Sequence, residues 1–244
     1  MELIKHNDQL AVSFVRAVHT GDVDALHRLL HKYPSFASMR AVDNQGVSRT
    51  TLHVVTDWPG YFPNGPEIVR MLIDAGADPN ASATGGAFSE TPLHWAASSD
   101  DVDVAVALIA GGADIEALGG SIAGGTPLDN AVGYGCWNVA RLLVQQGARV
   151  EKLWHAAALG LMSRVEELMD TNPAPSVDDI TEAFWQACSG GQRRVAECLL
   201  SKGADINGVP GYTNQTPLDA AGSLDTMRDS LFTWLKSKGA ISSK

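Results

Sequence analysis

A nine-residue phrase returns along this chain at a nearly fixed interval. ETPLHWAAS at 90–98 reappears as GTPLDNAVG at 125–133 and QTPLDAAGS at 215–223, with RTTLHVVTD at 49–57 as a looser copy. A second phrase keeps step: DAGADPNA at 74–81, AGGADIEA at 110–117, QQGARVEK at 145–152, SKGADING at 201–208 and a truncated KSKGAISS at 236–243. Thr91 and Thr126 lie 35 residues apart, as do Gly112 and Gly147. A period of that size means small supersecondary units that bury their apolar faces only by stacking on one another.

The residues of each copy explain its shape. Thr91-Pro92, Thr126-Pro127 and Thr216-Pro217 are helix starts. The Thr hydroxyl caps open amides, and Pro at the first helical position forfeits no hydrogen bond. Small residues such as Ala96, Ala97 and Ala131 follow, where two helix layers must approach closely. A second helix comes next, with apolar residues at helical spacing in EIVRMLIDAG, DVAVALIAGG, NVARLLVQQG and RVAECLLSKG. Gly76, Gly112, Gly147 and Gly203 then supply the left-handed residue that ends it. Between the two helices, aligned copies place Gly21, Asn64, Asp100, Gly135, Gly160 and Gly191 at one slot, all types that tolerate a left-handed backbone.

This pattern resembles the ankyrin repeat, whose period is about 33 residues and whose signature is T-P-L-H. The resemblance, to a bacterial-type ankyrin-repeat protein, extends over nearly the whole chain. It implies an all-α solenoid of stacked helix pairs joined by hairpin-like loops and capped at both ends. The expected organisation is a single domain over 1–244, with a cap at about 6–42 and units near 43–82, 83–117, 118–149, 150–178, 179–208 and 209–244. Two departures stand out. Thirteen residues separate Gly112 from Thr126, enough for a finger, but only three separate Gly147 from Glu151. The next unit lacks the GAD phrase and runs on as TNPAPSVDDITEAF, a connecting loop. Trp154 and Trp185 stand where the signature has His, with His155 following; two indoles there fill volume left by the altered consensus.

One stretch, TDWPGYFPNGPE at 56–67, breaks the rhythm. Alignment sets Asp57 and Trp58 opposite Ser98 and Ser99 and makes Pro59–Pro63 an insertion between the helices of the first full repeat. Stacking brings equivalent slots to about 10 Å from one another. Asp57, Trp58, Tyr61, Phe62, Trp95, Ser98, Ser99, Asp100 and Tyr134 should then share one rim, with Gly133 beside them. In the ankyrin family the residues before the turn, with the finger tips, grip partners, so the resemblance implies protein binding through the concave face and this edge. The same residues could instead pack as plain structure, with Tyr61 and Phe62 covering the edge and Trp137 in the core.

Composition narrows the chemistry. Net charge is −10 and pI about 5.0, so the surface repels phosphate and points away from nucleic acid and anionic membranes. No apolar run is long enough to span a bilayer, and MELIKHNDQL lacks a signal-peptide core. Cys136, Cys188 and Cys198 are odd in number and form no CxxC pair, which fits a reducing cytoplasm. His53 and His94 sit in the signature slot, and the resemblance implies that they bond the neighbouring repeat's backbone. His27 and His31 share a helix face, but nothing obvious completes a metal site, so neither metal nor cofactor is expected. GGSIAGGTP at 119–127 reads as a flexible finger, since no P-loop or dinucleotide motif surrounds it.

The expected function is a non-catalytic, cytoplasmic scaffold for a protein partner. The alternative is a pocket under the 58–63 loop for a small molecule, sensed or hydrolysed. There Asp57 and Asp100 are the candidate catalytic carboxylates, one acid and one base. Enclosure distinguishes the two: a pocket closed by residues 57–62 favours the second, an open strip the first.

Overall fold

The computed structural model describes residues 3–5, 7–222 and 229–243. The last expected repeat, 209–244, is therefore described on either side of 223–228, and Ser223 of its signature lies outside the described residues. Two compact units emerge, Met1–Ala148 and Arg149–Lys244. The division falls at the short Gly147–Glu151 connection that has no room for a finger.

Unit 1 opens with strand β1 (Leu3–Lys5), helices α1 (Gln9–Thr20) and α2 (Val23–Lys32), a 3-10 turn at Pro34–Ser38, and strands β2 (Arg40–Val42) and β3 (Ser48–Thr50). Three helix pairs follow: α3 (Thr51–Val55) with α4 (Gly65–Asp74), α5 (Pro92–Ser98) with α6 (Val102–Ala110), and α7 (Pro127–Gly133) with α8 (Trp137–Gln145). Unit 2 has α9 (Leu153–Leu159) with α10 (Met162–Met169), α11 (Val177–Ser189) with α12 (Arg193–Ser201), and α13 (Pro217–Ala221) and α14 (Asp229–Ser237). In unit 1 the first helices α3, α5 and α7 pack on one another in order, and α4, α6 and α8 form the second layer. The signature leucines Leu52, Leu93 and Leu128 and the second-helix residues Leu72, Leu108 and Leu143 meet between these layers, all buried. In unit 2, α9, α11 and α13 stack likewise, around Phe184, Leu199 and Leu231.

The turn slot has one backbone solution. Gly21, Asn64, Asp100, Gly135, Gly160 and Gly191 all have positive φ, between 56° and 73°. Helix starts also follow the sequence: Thr50, Thr91, Thr126, Ser176 and Thr216 each form a capping box with the residue three positions on.

Histidine ties one repeat to the next. Nε2 of His53 meets the Glu90 carbonyl at 3.0 Å, and Nε2 of His94 meets that of Gly125 at 3.1 Å. Both accepting residues precede the next repeat's capping Thr. Trp185 does the same with an indole, its Nε1 donating to the Gln215 carbonyl at 2.8 Å, just before Thr216. Trp185 is thus a working substitute for the signature His as well as a space filler. Trp154 packs half-buried against the unit 2 core, with the Lys152 ammonium over its ring. Trp137 is buried, as is Cys188, while Cys198 is half-buried.

Two features add to the expected picture. The first is a small sheet in which β1 pairs parallel to β2 and β2 antiparallel to β3. The second concerns the glycine-rich finger, which is ordered by hydrogen bonds rather than simply flexible. Gly119 and Gly120 donate to the carbonyls of Gly124 and Gly125 at 3.0 and 2.9 Å. A Cβ on Gly120 would stand 2.6 Å from Asn130 Oδ1, and one on Gly125 2.3 Å from Asp129 Oδ2. Glycine is required there by close approach.

Candidate functional site

The first three full repeats of unit 1 line an open groove of about 250 Å³. It is lined by Thr56, Asp57 and Trp58 from the end of α3, by Glu90, Trp95, Ser98 and Ser99 around α5, by Ser121 of the glycine-rich finger and by Tyr134 after α7. Residues more than seventy positions apart in the chain become neighbours because each occupies the same slot in its own repeat.

Trp95 forms the groove's fixed centre. Its indole N–H donates to Glu90 Oε2 at 3.0 Å, the Arg49 guanidinium lies 5.2 Å over its ring, and His53 meets it edge-on at 4.9 Å. Glu90 also accepts from the Ser121 amide at 2.9 Å and from Asn130 Nδ2 at 2.7 Å. Asn130 donates in turn to Ser98 Oγ at 3.1 Å. Glu90 and Asn130 therefore lock the base of one finger to the next. Arg49 and Glu90 fill the position just before the capping Thr in successive repeats, with opposite charge. That alternation was the available signal for two residues the sequence reading did not select.

The rim is exposed. Trp58 is 81% exposed and Tyr134 54%, so two large rings stand in water on either side of the anchored Trp95. Tyr134 is steadied by a 3.1 Å hydrogen bond between its hydroxyl and that of Ser121. The Ser98 and Ser99 hydroxyls donate to the carbonyls one turn earlier, His94 at 2.9 Å and Trp95 at 3.1 Å.

Three expected members of the rim, Tyr61, Phe62 and Asp100, lie elsewhere. The insertion does not fold over the groove; it staples the turn edge. The Tyr61 amide donates to Asp101 Oδ2 at 2.6 Å, and its hydroxyl donates to the Asp100 carbonyl. Phe62 stacks on His19 of the cap at 4.3 Å, and Asn64 Nδ2 donates to the Gly21 carbonyl at 2.9 Å. Trp58, just ahead of the insertion, lines the groove, and none of Pro59–Pro63 is among its lining residues.

Asp57 and Asp100 do not act as a pair. Asp57 accepts from the Trp58 amide at 2.9 Å and faces Arg49 at 3.7 Å. Asp100 caps the next repeat's second helix, accepting from the Val139 amide and from Asn138 Nδ2, both at 2.8 Å. Each has a structural occupation, and Asp57 lines the groove while Asp100 is not among its lining residues.

His53 and His94 are neutral. Burial above all, with the nearby charges of Arg40 and Arg49, pulls His53 down to about 4, against the opposing bond to the Glu90 carbonyl. His94 is lowered too, chiefly by burial. Nδ1 of each ring accepts from its capping Thr amide, so Nε2 carries the proton that reaches the next repeat. Among the described residues, no group of three or more His, Cys, Asp or Glu is arranged to hold a metal ion. Among them, too, no helix is long and apolar enough to cross a membrane.

Comparison with known proteins agrees with this architecture. Residues 61–152 match the family profile for ankyrin repeats in three copies. The ankyrin repeat domain of Bcl-3, described as a unique member of the IkappaB protein family, superposes with a TM-score of 0.53. That match spans 94% of this chain and 99% of that one at 24% identity. The human ASB11 ankyrin repeat domain gives a TM-score of 0.54 at 18% identity, over 93% of this chain and 98% of that one. At such identities the likeness concerns the fold. No curated protein matches the chain.

Proposed function

We propose that this ankyrin-repeat protein is a non-catalytic scaffold that grips a protein partner through the unit 1 groove, with Trp58, Trp95 and Tyr134 as its aromatic anchors. Ankyrin repeats generally mediate protein–protein interaction. The observation that carries the specific reading is the combination of two exposed rings with a third immobilised between them by Arg49 and Glu90. Aromatic anchors of this kind lose little side-chain entropy on docking and dominate interface energies. The groove's openness supports a partner surface over an enclosed small molecule. The insertion that would have formed a lid is committed to the turn edge. A cytoplasmic setting accompanies this reading, supported by the cysteine usage.

The test is quantitative affinity capture with wild type, Trp58→Ala and Val106→Ala, the last an exposed apolar residue on the outer helix α6. A partner held by wild type and by Val106→Ala but lost by Trp58→Ala is the expected outcome. Identical partner lists for all three would reject the groove as the binding surface.

A further inference from the structure

Unit 2 breaks the repeat rhythm at α11. The first helices of its neighbours, α9 and α13, have 7 and 5 residues, whereas α11 has 13. The added turns, Val177 to Thr181, run on ahead of Glu182, and the following finger folds against them. The Asp205 amide donates to Thr181 Oγ1 at 3.0 Å, and Gly208 lies so close that a Cβ would stand 2.2 Å from the Thr181 methyl. Helix and finger together bound a groove of about 630 Å³.

Its chemistry is one-sided. Asp178, Glu182 and Asp205 line it, and no Lys or Arg does. Its rim is apolar and open, with Val177 61%, Val209 46% and Tyr212 59% exposed. The Tyr212 ring is held by an edge contact with Trp185 at 5.9 Å. Its hydroxyl accepts from Gln186 Nε2 at 3.1 Å, and both Tyr212 and Glu182 line the groove. Gln186 is 3% exposed, its Nε2 meets the Tyr212 hydroxyl, and its Oε1 has no hydrogen-bond partner among the described residues. Such a buried polar atom is costly outside a site that uses it. Burial also raises Glu182, with Asp179 adding to the rise and Tyr212 and Lys152 opposing it. A half-buried carboxylate in a groove lined by two more, beside a fixed aromatic face, is matched by a cation with a flat, weakly hydrated head.

We propose that this groove docks an extended basic segment of a partner protein, with an arginine paired to Glu182 and lying against Tyr212. Apolar residues beside that arginine would cover Val177 and Val209, and the flanking carboxylates would speed encounter with a positively charged chain. Every residue of this groove belongs to unit 2, and the unit 1 groove shares none of them. The two readings therefore fail separately.

The experiment is fluorescence anisotropy with the full chain and a labelled peptide of alternating Arg and Val. A peptide with citrulline in place of Arg and free arginine serve as companions. Wild type should bind the Arg peptide in a salt-sensitive way, with at least about tenfold loss on Glu182→Gln/Asp178→Asn or on citrulline substitution. Glu166→Gln, an exposed carboxylate outside the groove, should leave affinity unchanged. A photo-reactive residue in the peptide should label 177–182 or 205–212. Equal binding of the Arg and citrulline peptides would overturn the proposal, and this comparison needs no variant to fold. No binding to wild type, or equal loss with Glu166→Gln, would also overturn it, as would saturation by free arginine at the peptide's own affinity.

Discussion

Individual side chains carry this fold's couplings, and His53 shows how directly. Buried and neutral, it spans from its own capping Thr to the next repeat's backbone. Its proton affinity is lowered to about 4. Above about pH 6.5 it is neutral in both the folded and the unfolded chain and adds no pH dependence. As pH falls from 6.5 towards 4, the unfolded chain takes up a proton that the folded chain refuses, so stability declines. The slope is at most about 1.4 kcal/mol per pH unit for each such histidine. Denaturant titrations at pH 7, 6 and 5 should show this fall, and His53→Asn should flatten it whatever its own effect on stability. An unchanged slope would mean that His53 is charged or solvated. Trp58 is the opposite kind of residue. It stands almost wholly in water, so Trp58→Ala should leave the melting temperature within about a degree while weakening partner binding by about 2 kcal/mol, or ~30-fold. A large loss of stability would show that the indole is packed.

At the scale of elements, the turn between helices was fully legible from residue type. The six aligned residues are Gly, Asn or Asp, the types that tolerate a left-handed backbone, and all six adopt it. Local steric rules decide such a position, so local sequence reveals it. Asp100 carries a second duty that spacing did not disclose, since it caps α8 in the next repeat. Asp100→Gly should therefore lose the cap alone, while Asp100→Ala should also incur about 1 kcal/mol of backbone strain. Thermal melts should rank wild type above Asp100→Gly and Asp100→Gly above Asp100→Ala, with Ala lower than wild type by about 4–8 °C. Equal melting of Gly and Ala variants would contradict the backbone argument. The C-terminal copy KSKGAISS offers a similar case. Asp219 accepts from Ser242 and Ser243 side chains and from the Ser243 amide. These bonds hold its carboxyl well below the usual carboxylate range, against the opposing effect of burial. The clasp is thus at full strength above about pH 4 and weakens as pH falls below it. Asp219→Asn should lower stability at neutral pH and reduce the loss seen on acidification. The insertion's path was not legible. Its aromatics suited a lid as well as an edge cover, and only long-range partners, Asp101 and His19, decide between them. Likewise β1 owes its strand character to pairing with β2, some thirty-five residues further along the chain.

For the molecule as a whole, function depends on register, because the groove exists only if equivalent slots of successive repeats come side by side. Six of the nine residues expected on the rim line that groove: Asp57, Trp58, Trp95, Ser98, Ser99 and Tyr134. The periodicity places them together, since one slot serves every repeat. Arg49, Glu90, Ser121 and Asn130 were missed because their roles lie in bonds between repeats, which no single copy of the pattern displays. The most direct test of register and function together is hydrogen exchange of the full chain with and without the captured partner. Segments 55–59, 93–99 and 119–136, scattered in sequence, should gain protection together, while the outer helix 102–110 stays unchanged. Protection confined to one segment, or falling on the outer helix, would contradict the account.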